Sequence, residues 1–257
     1  MLDASTLIVR FAESEEDILA AGRLRYRVFV EELGGDGPMV DHVRKFERDR
    51  FDPFSKHLVL IDPETPPSTL DHVVGVYRVM TEAAADAAGQ FYSEDEYDLS
   101  LLRASGRKLL ELGRSCVARE FRGGTAVWQL WSALAQFVED EKIEILFGVA
   151  SFHGTDLDAL AEPLSLLDAR HLAPEDIRVR AKSEVFQPMN LVADADIQSV
   201  RAMKAVPALI KSYLRLGGFV GEGAFVDHAF NTTDVCLILD TDRMSPRQRK
   251  LLVGTRQ

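Results

Sequence analysis

Residues 110–131 read LELGRSCVAREFRGGTAVWQLW, and the succession of residue types in them decides the fold. LELGRSCV has the length and apolar content of a strand, whereas from Val127 the apolar residues Val127, Leu130, Trp131, Leu134 and Val138 recur at helical spacing. Between the two lie Arg119, Arg122 and the pair Gly123–Gly124. A glycine turn leading from a strand into a helix presents backbone amides that can hold an anion. The helical spacing predicts that Trp128 and Trp131 pack on a sheet rather than bind a ligand.

Working outward, Thr6–Phe11 reads as a first strand. Ser14 with Asp17 resembles a capping box at the start of a helix running to about Glu32. The following stretch, EELGGDGPMVDHVRKFERDRFDPFSKH at 31–57, is long and rich in glycine and charge, the composition of a substrate-side loop. HLVLI (57–61) and HVVGVYRVM (72–80) read as two antiparallel strands joined by DPETPPSTLD. An acidic loop is expected from Glu82 to Asp98.

Beyond residue 131, IEILFGVASF (143–152) reads as a buried strand and IRVRAKSEVF (177–186) as a polar-alternating one. PALIKSYLRLGGF (207–219) is a helix opened by Pro207 and closed by Gly217–Gly218, and DVCLILD (234–240) is a last strand. This order predicts a mixed α/β fold with a mostly antiparallel central sheet flanked by helices. One domain is expected, with a core over about 6–155 and a C-terminal half over about 156–257 that completes the sheet.

The chain has 257 residues, of which 30 are Lys or Arg and 41 Asp or Glu, for a formal charge of -11. That balance argues against a general nucleic-acid binder, so an anionic partner must meet a local basic patch. Cys116 and Cys236 lie in apolar runs and read as small buried thiols in a reducing cytoplasm. The stretch MLDASTLIVRFAESEED lacks the pattern of a signal peptide, and no apolar run reaches the ~20 residues of a membrane span. A soluble chain, or one touching a membrane only peripherally, is expected. The histidines form no metal spacing, and no Ser-His-Asp or Cys-His set suggests an acyl-enzyme.

The element order with its glycine turn resembles the GNAT acyltransferase superfamily, the matching run being Arg119-Glu120-Phe121-Arg122-Gly123-Gly124-Thr125-Ala126. LRYRVFVEELG, FERDRFDPFSKHLVL, VVGVYRV and LELGRS are similar to the scaffold shared by acyl-homoserine-lactone synthases and ornithine-lipid N-acyltransferases. FGVASFHGTD (147–156), PLSLL (163–167) and VPALIKSYLRLGGFVGEGAFVDHAFNTTDV (206–235) resemble the L-ornithine Nα-acyltransferase family in particular. Departures are Val149, where relatives often carry a small thiol, and His153, where they tend to have proline.

The resemblance implies transfer of a 3-hydroxyacyl chain from acyl carrier protein, or from acyl-CoA, to the α-amine of ornithine, with no tightly bound cofactor and contact at most peripheral with the inner membrane. It places Arg25, Phe29, Asp49, Asp52, Arg78 and Arg114 around the acceptor. Val117, Arg119, Arg122, Gly123, Gly124 and Thr125 would lie around the donor phosphopantetheine. Arg119 and Arg122, with Lys204, Lys211 and Arg215, would form the patch for the carrier protein. Glu111 is the candidate general base and Tyr213 the candidate acid for the leaving thiolate.

Each assignment has a plainer counterpart. Glu111 could pair with an arginine and only shape the site, ERDRFD could be a solvated charge run, and Tyr213 could be a packing residue. Glu111 and Arg114, three apart on a strand, point to opposite faces unless a bulge intervenes. Arg78 on an apolar strand needs a carboxylate partner wherever it lies. Acylation of another amino acid, lactone synthesis from S-adenosylmethionine, and a non-catalytic module binding acyl carrier protein remain open readings.

Overall fold

The computed structural model describes residues 6–122 and 125–253. Its strands are β1 (Ile8–Phe11), β2 (Lys56–Ile61), β3 (Val73–Thr81), β4 (Tyr97–Asp98), β5 (Leu109–Val117), β6 (Ile145–His153), β7 (Arg180–Ala181), β8 (Phe219–Val220), β9 (Phe225–Asp227) and β10 (Thr232–Asp240). Helices α1 (Glu15–Arg25), α2 (Glu82–Ala88), α3 (Ser100–Ala104), α4 (Thr125–Asp140), α5 (Leu157–His171), α6 (Ser199–Ala205) and α7 (Ala208–Arg215) are interspersed. The fold is mixed α/β with mostly antiparallel pairing, as the sequence predicts. No helix among the described residues is long and apolar enough to cross a membrane.

The chain forms two compact units. One takes residues up to Gly89 together with Leu112–Lys142, the other Gln90–Glu111 and Ile143–Leu251. In the first, β1, β2 and β3 pair antiparallel in order, and β5 follows β3. β2 and β3 are apolar at nearly every position because helices cover them: α1 lies against β3, and α4 against β1, β2 and β3. Gly75 makes the close approach possible, since a Cβ there would stand 3.0 Å from the Leu130 side chain and 3.1 Å from Leu60.

At the start of α1 the expected capping box is present, Ser14 and Asp17 each accepting the other's backbone N–H. Asp17 also accepts two N–H bonds from Arg10, at 2.7 and 3.2 Å, and lies 3.1 Å from Nε2 of buried His72. Burial works to raise the pKa of Asp17, but the bonds from Arg10, the Glu13 amide and His72 outweigh it and hold the carboxyl well below its usual range. α1 ends at Arg25 and widens into a π-helix over Tyr26–Glu32, so the predicted helix end holds while its last turns are looser.

In the second unit β6 and β10 pair antiparallel from Thr232↔His153 to Asp240↔Ile145, with β8 and β9 also on β10. Leu109–Glu111 of β5 run parallel to Ile145–Phe147. Tyr97, with no exposed surface, donates its hydroxyl at 3.1 and 3.0 Å from the carbonyls of Gly223 and Asp234.

Three expectations are corrected. The buried stripe of α4 is Ala126, Leu130, Leu134, Phe137 and Val138, so Val127 is exposed, Trp131 is half-buried and Trp128 is 54% exposed. Trp128 lies two positions from both Ala126 and Leu130, about 200° around the helix, and so falls on the face opposite the buried stripe. The acidic loop contains α2, whose EAAADAA sequence is intrinsically helical and is capped by the Thr81 hydroxyl. Of residues 177–186 only Arg180–Ala181 form a strand, paired with Tyr97–Asp98. The backbone partners nearby are loop groups such as the Glu96 carbonyl.

Asp17→Asn is expected to lower stability by about 1–3 kcal/mol at pH 7, because the ion pair of a buried carboxylate with the part-exposed Arg10 is lost and a cap is weakened at once. Urea unfolding measures this, and an unchanged midpoint would refute the anchoring role. Since the folded pKa is depressed, the contribution is present above the unfolded carboxylate pKa and is lost as pH falls through the acid range.

Candidate acceptor and donor site

Four separate segments of the first unit meet in a closed ring of six charged side chains. Arg25 at the end of α1 bonds Glu47 through Nε and reaches Asp52 through Nη1 at 2.7 Å. Arg78 of β3 lies 2.8 Å from the same Asp52 oxygen and 2.6 Å from Asp49. Arg114 of β5 lies 2.9 Å from Asp49 and returns to Glu47 through Nε at 3.3 Å. Cations and anions alternate around the ring, three of each.

Local sequence explains how the loop delivers its three acids. Over residues 47–50 the chain alternates, Glu47 buried, Arg48 exposed, Asp49 partly buried and Arg50 exposed. The arginines of ERDR thus face water and the acids face inward. Asp49 Oδ1 accepts the Phe51 amide at 2.9 Å and Asp52 Oδ2 the Asp49 amide at 3.1 Å, which closes the turn on its own side chains. Phe51 anchors it as a buried residue.

Burial by itself would raise the pKa of each of these acids. For Asp52 the charges of Arg25 and Arg78 outweigh burial, and for Glu47 those of Arg25 and Arg114, so both carboxyls stay ionised well below their usual range. Asp49 is lowered in the same way by Arg78 and Arg114. His57 stands opposite Arg78 in the β2–β3 register, 3.9 Å from Asp52, and is 3% exposed. Burial pushes its pKa down to about 4, so the imidazole is neutral at pH 7 and the ring keeps zero net charge.

The ring unites Arg25, Asp49, Asp52, Arg78 and Arg114 from the sequence-derived set. Phe29 is half-buried on the π-helix. Arg114 has φ +50°, a left-handed residue in mid-strand, which breaks the alternation that would set it opposite to Glu111. Glu47 and His57 were not among the sequence candidates. The inward alternation of ERDR could have found Glu47, whereas only the strand register reveals His57.

Glu111 lies in the second unit, 4% exposed, at the point where pairing of β5 with β6 stops. Its carboxylate accepts the backbone N–H groups of Tyr92 at 2.9 Å and Ser93 at 2.6 Å. Tyr213 is buried on α7. Val117 ends β5 half-buried, Arg119 is exposed, and Thr125 opens α4 exposed, while Gly123 and Gly124 lie outside the described residues. Arg122 bonds the Val117 carbonyl at 2.9 Å and pairs with Glu32 at 2.7 Å. Lys211 bonds the Lys204 carbonyl at 3.3 Å, and Arg215 is exposed at the end of α7.

Residues 24–132 match a family model described as an acetyltransferase (GNAT) domain. An L-ornithine N(alpha)-acyltransferase of Rhodobacter capsulatus is 57% identical over 242 residues, covering 94% of this chain and 93% of the relative. One from Brucella abortus is 41% identical, covering 94% and 87%. Among solved structures, the CoA-dependent acyl-homoserine lactone synthase BjaI aligns with a TM-score of 0.53 at 14% identity, over 96% of this chain and 87% of that one. The acyl-homoserine lactone synthase LasI aligns at 0.51 and 14%, over 98% of each chain. Those two likenesses speak for the fold.

The neutral imidazole makes a pH signature. The folded pKa of His57 is depressed from 6.5 to about 4, so its contribution is present above pH 6.5 and is lost as pH falls toward 4, by about 3 kcal/mol in all. His57→Gln should flatten the urea-midpoint profile over that interval, and a profile as steep as the wild type would refute the assignment.

Proposed function

The chain belongs to the L-ornithine N(alpha)-acyltransferase family, and we propose that it transfers a 3-hydroxyacyl chain from acyl carrier protein to the α-amine of L-ornithine, giving lyso-ornithine lipid. The observation that carries this reading is the neutral ring of three guanidinium groups and three carboxylates. Ornithine brings two ammonium groups and one carboxylate, so it can engage carboxylates and guanidinium groups of such a ring at the same time. In this reading Arg78 and Arg114 organise the acceptor carboxylate. Asp49 and Asp52 receive ammonium groups, Arg25 fixes Asp52, and Phe29 lines the acceptor side.

Attack on a thioester needs a neutral amine, and Glu111 is the base that takes the first ammonium proton, directly or through a water. The amine nitrogen then bonds to the thioester carbon and the carbon–sulfur bond breaks. Tyr213 gives its hydroxyl proton to the leaving thiolate and recovers one from the second proton of the amine. Val117, Arg119, Arg122, Gly123, Gly124 and Thr125 hold the phosphate of the pantetheine arm, with the turn amides as its natural partners. A carrier protein, itself acidic, meets the basic side chains Arg119, Arg122, Lys204, Lys211 and Arg215. Exposed Val127 and Trp128 are apolar groups suited to peripheral contact with the membrane that receives the product.

Purified protein incubated with 3-hydroxyacyl carrier protein and a panel of ornithine, lysine, glutamine, glycine and S-adenosylmethionine should acylate ornithine, as read by mass spectrometry. Acylation of none of them would overturn the reading, and acylation of a different acceptor would replace ornithine with it. Glu111→Gln should lower turnover by about 10²–10⁴-fold with carrier binding intact. For Tyr213→Phe a fall in kcat of about tenfold or more is expected, with little change in unfolding midpoint. Full kcat in the phenylalanine variant would remove Tyr213 from the mechanism.

A further inference from the structure

Glu111 is gripped by backbone amides that have their own anchor. Tyr92–Asp95 form a 3-10 turn, and the first N–H groups of any helical turn lack partners within it. Here two carboxylates fill them. Glu94 folds back to accept the Phe91 amide at 2.7 Å, and Glu111 accepts the next two, from Tyr92 and Ser93.

Glu94 is in turn held by Arg103 in the last turn of α3. Arg103 donates from Nε at 2.9 Å and from Nη2 at 2.7 Å, a two-point contact to one carboxylate. The Arg103 guanidinium also lies over the Phe91 ring, 4.7 Å from its centroid. Phe91 is fully buried and meets Phe147 edge-on at 5.0 Å, and Phe147 is the residue that pairs with Glu111 in the β5–β6 register. A continuous path of bonds and ring contacts therefore runs from Arg103 through Glu94 to the amides on Glu111. These contacts all lie within the second unit.

We propose that Arg103 and Glu94 are positioning residues for the base: they fix the turn whose amides orient the Glu111 carboxylate. The inference rests on the reading of Glu111 as base. Hydrogen bonds to a carboxylate lower its pKa, and losing them raises it. The other titratable groups in this neighbourhood are Cys236 and Asp234 of β10 and Glu96. Glu96 and Glu111 both act on the Cys236 thiol, which burial already keeps protonated, and Asp234 and Glu96 act on Tyr97. None of the three substitutions below replaces any of these groups.

The experiment is the pH dependence of kcat, with ornithine and acyl carrier protein, for wild type, Glu94→Ala, Arg103→Gln and the conservative Glu94→Gln, on protein whose folded fraction is known from its unfolding curve. Glu94→Ala and Arg103→Gln should lower kcat about tenfold to a hundredfold and move its acid limb to higher pH by roughly one unit. KM for the carrier protein should stay unchanged. Glu94→Gln, which can still accept the Phe91 amide, should restore most of both. An acid limb that stays in place, whether kcat falls or not, would overturn the proposal, because a purely structural pair would change the folded fraction and leave the titration alone. If Glu111→Gln itself keeps full turnover, the base assignment fails first, and that outcome is distinct from a failure of the pair.

Discussion

Burying three guanidinium groups and three carboxylates is costly unless every charge finds its opposite, and the closed ring in the first unit is how this protein meets that condition. No two of the six would suffice. Arg25 is bonded to both Glu47 and Asp52, and removing either acid would leave three cations facing two carboxylates. The ring also explains local features that look odd in isolation: an arginine at φ +50° in β5, a neutral histidine beside two arginines, and a charge-rich loop folded inward. Each is what closure of the ring requires of its segment.

Glu47 and Glu111 show how the same side chain is given two roles by its surroundings. Glu47 is 1% exposed and bonded to two arginines, so it is a fixed countercharge. Glu111 is similarly buried but receives two backbone amides. Backbone amides orient a carboxylate by hydrogen bonding, whereas a guanidinium brings a full opposite charge. In the proposed mechanism this carboxylate, at the point where the β5–β6 pairing ends, is the one that accepts the ammonium proton.

The donor side is built differently. The segment after β5 carries Arg122, which is paired with Glu32 and bonded to the Val117 carbonyl. In the proposed reaction one pantetheine phosphate demands less positive charge than a pyrophosphate would.

Much of this was determined by sequence alone. The apolar runs of β2, β3, β5, β6 and β10 and the Ser14–Asp17 cap lie where the chain says, because period, length and capping chemistry are local properties. Five of the six ring members were legible through family resemblance. Glu47 was hidden, although its alternation with Arg48 and Arg50 was there to be read. Local pattern could not fix which side of α4 would be buried. Ala126 packs close to the sheet, and Trp128 is left in solvent. Nor could it show that Tyr92 and Ser93 hold Glu111, or that His57 faces Arg78. Those contacts join residues 18 to 21 positions apart in sequence, and strand register and turn geometry, which exist only once the chain has folded, decide them.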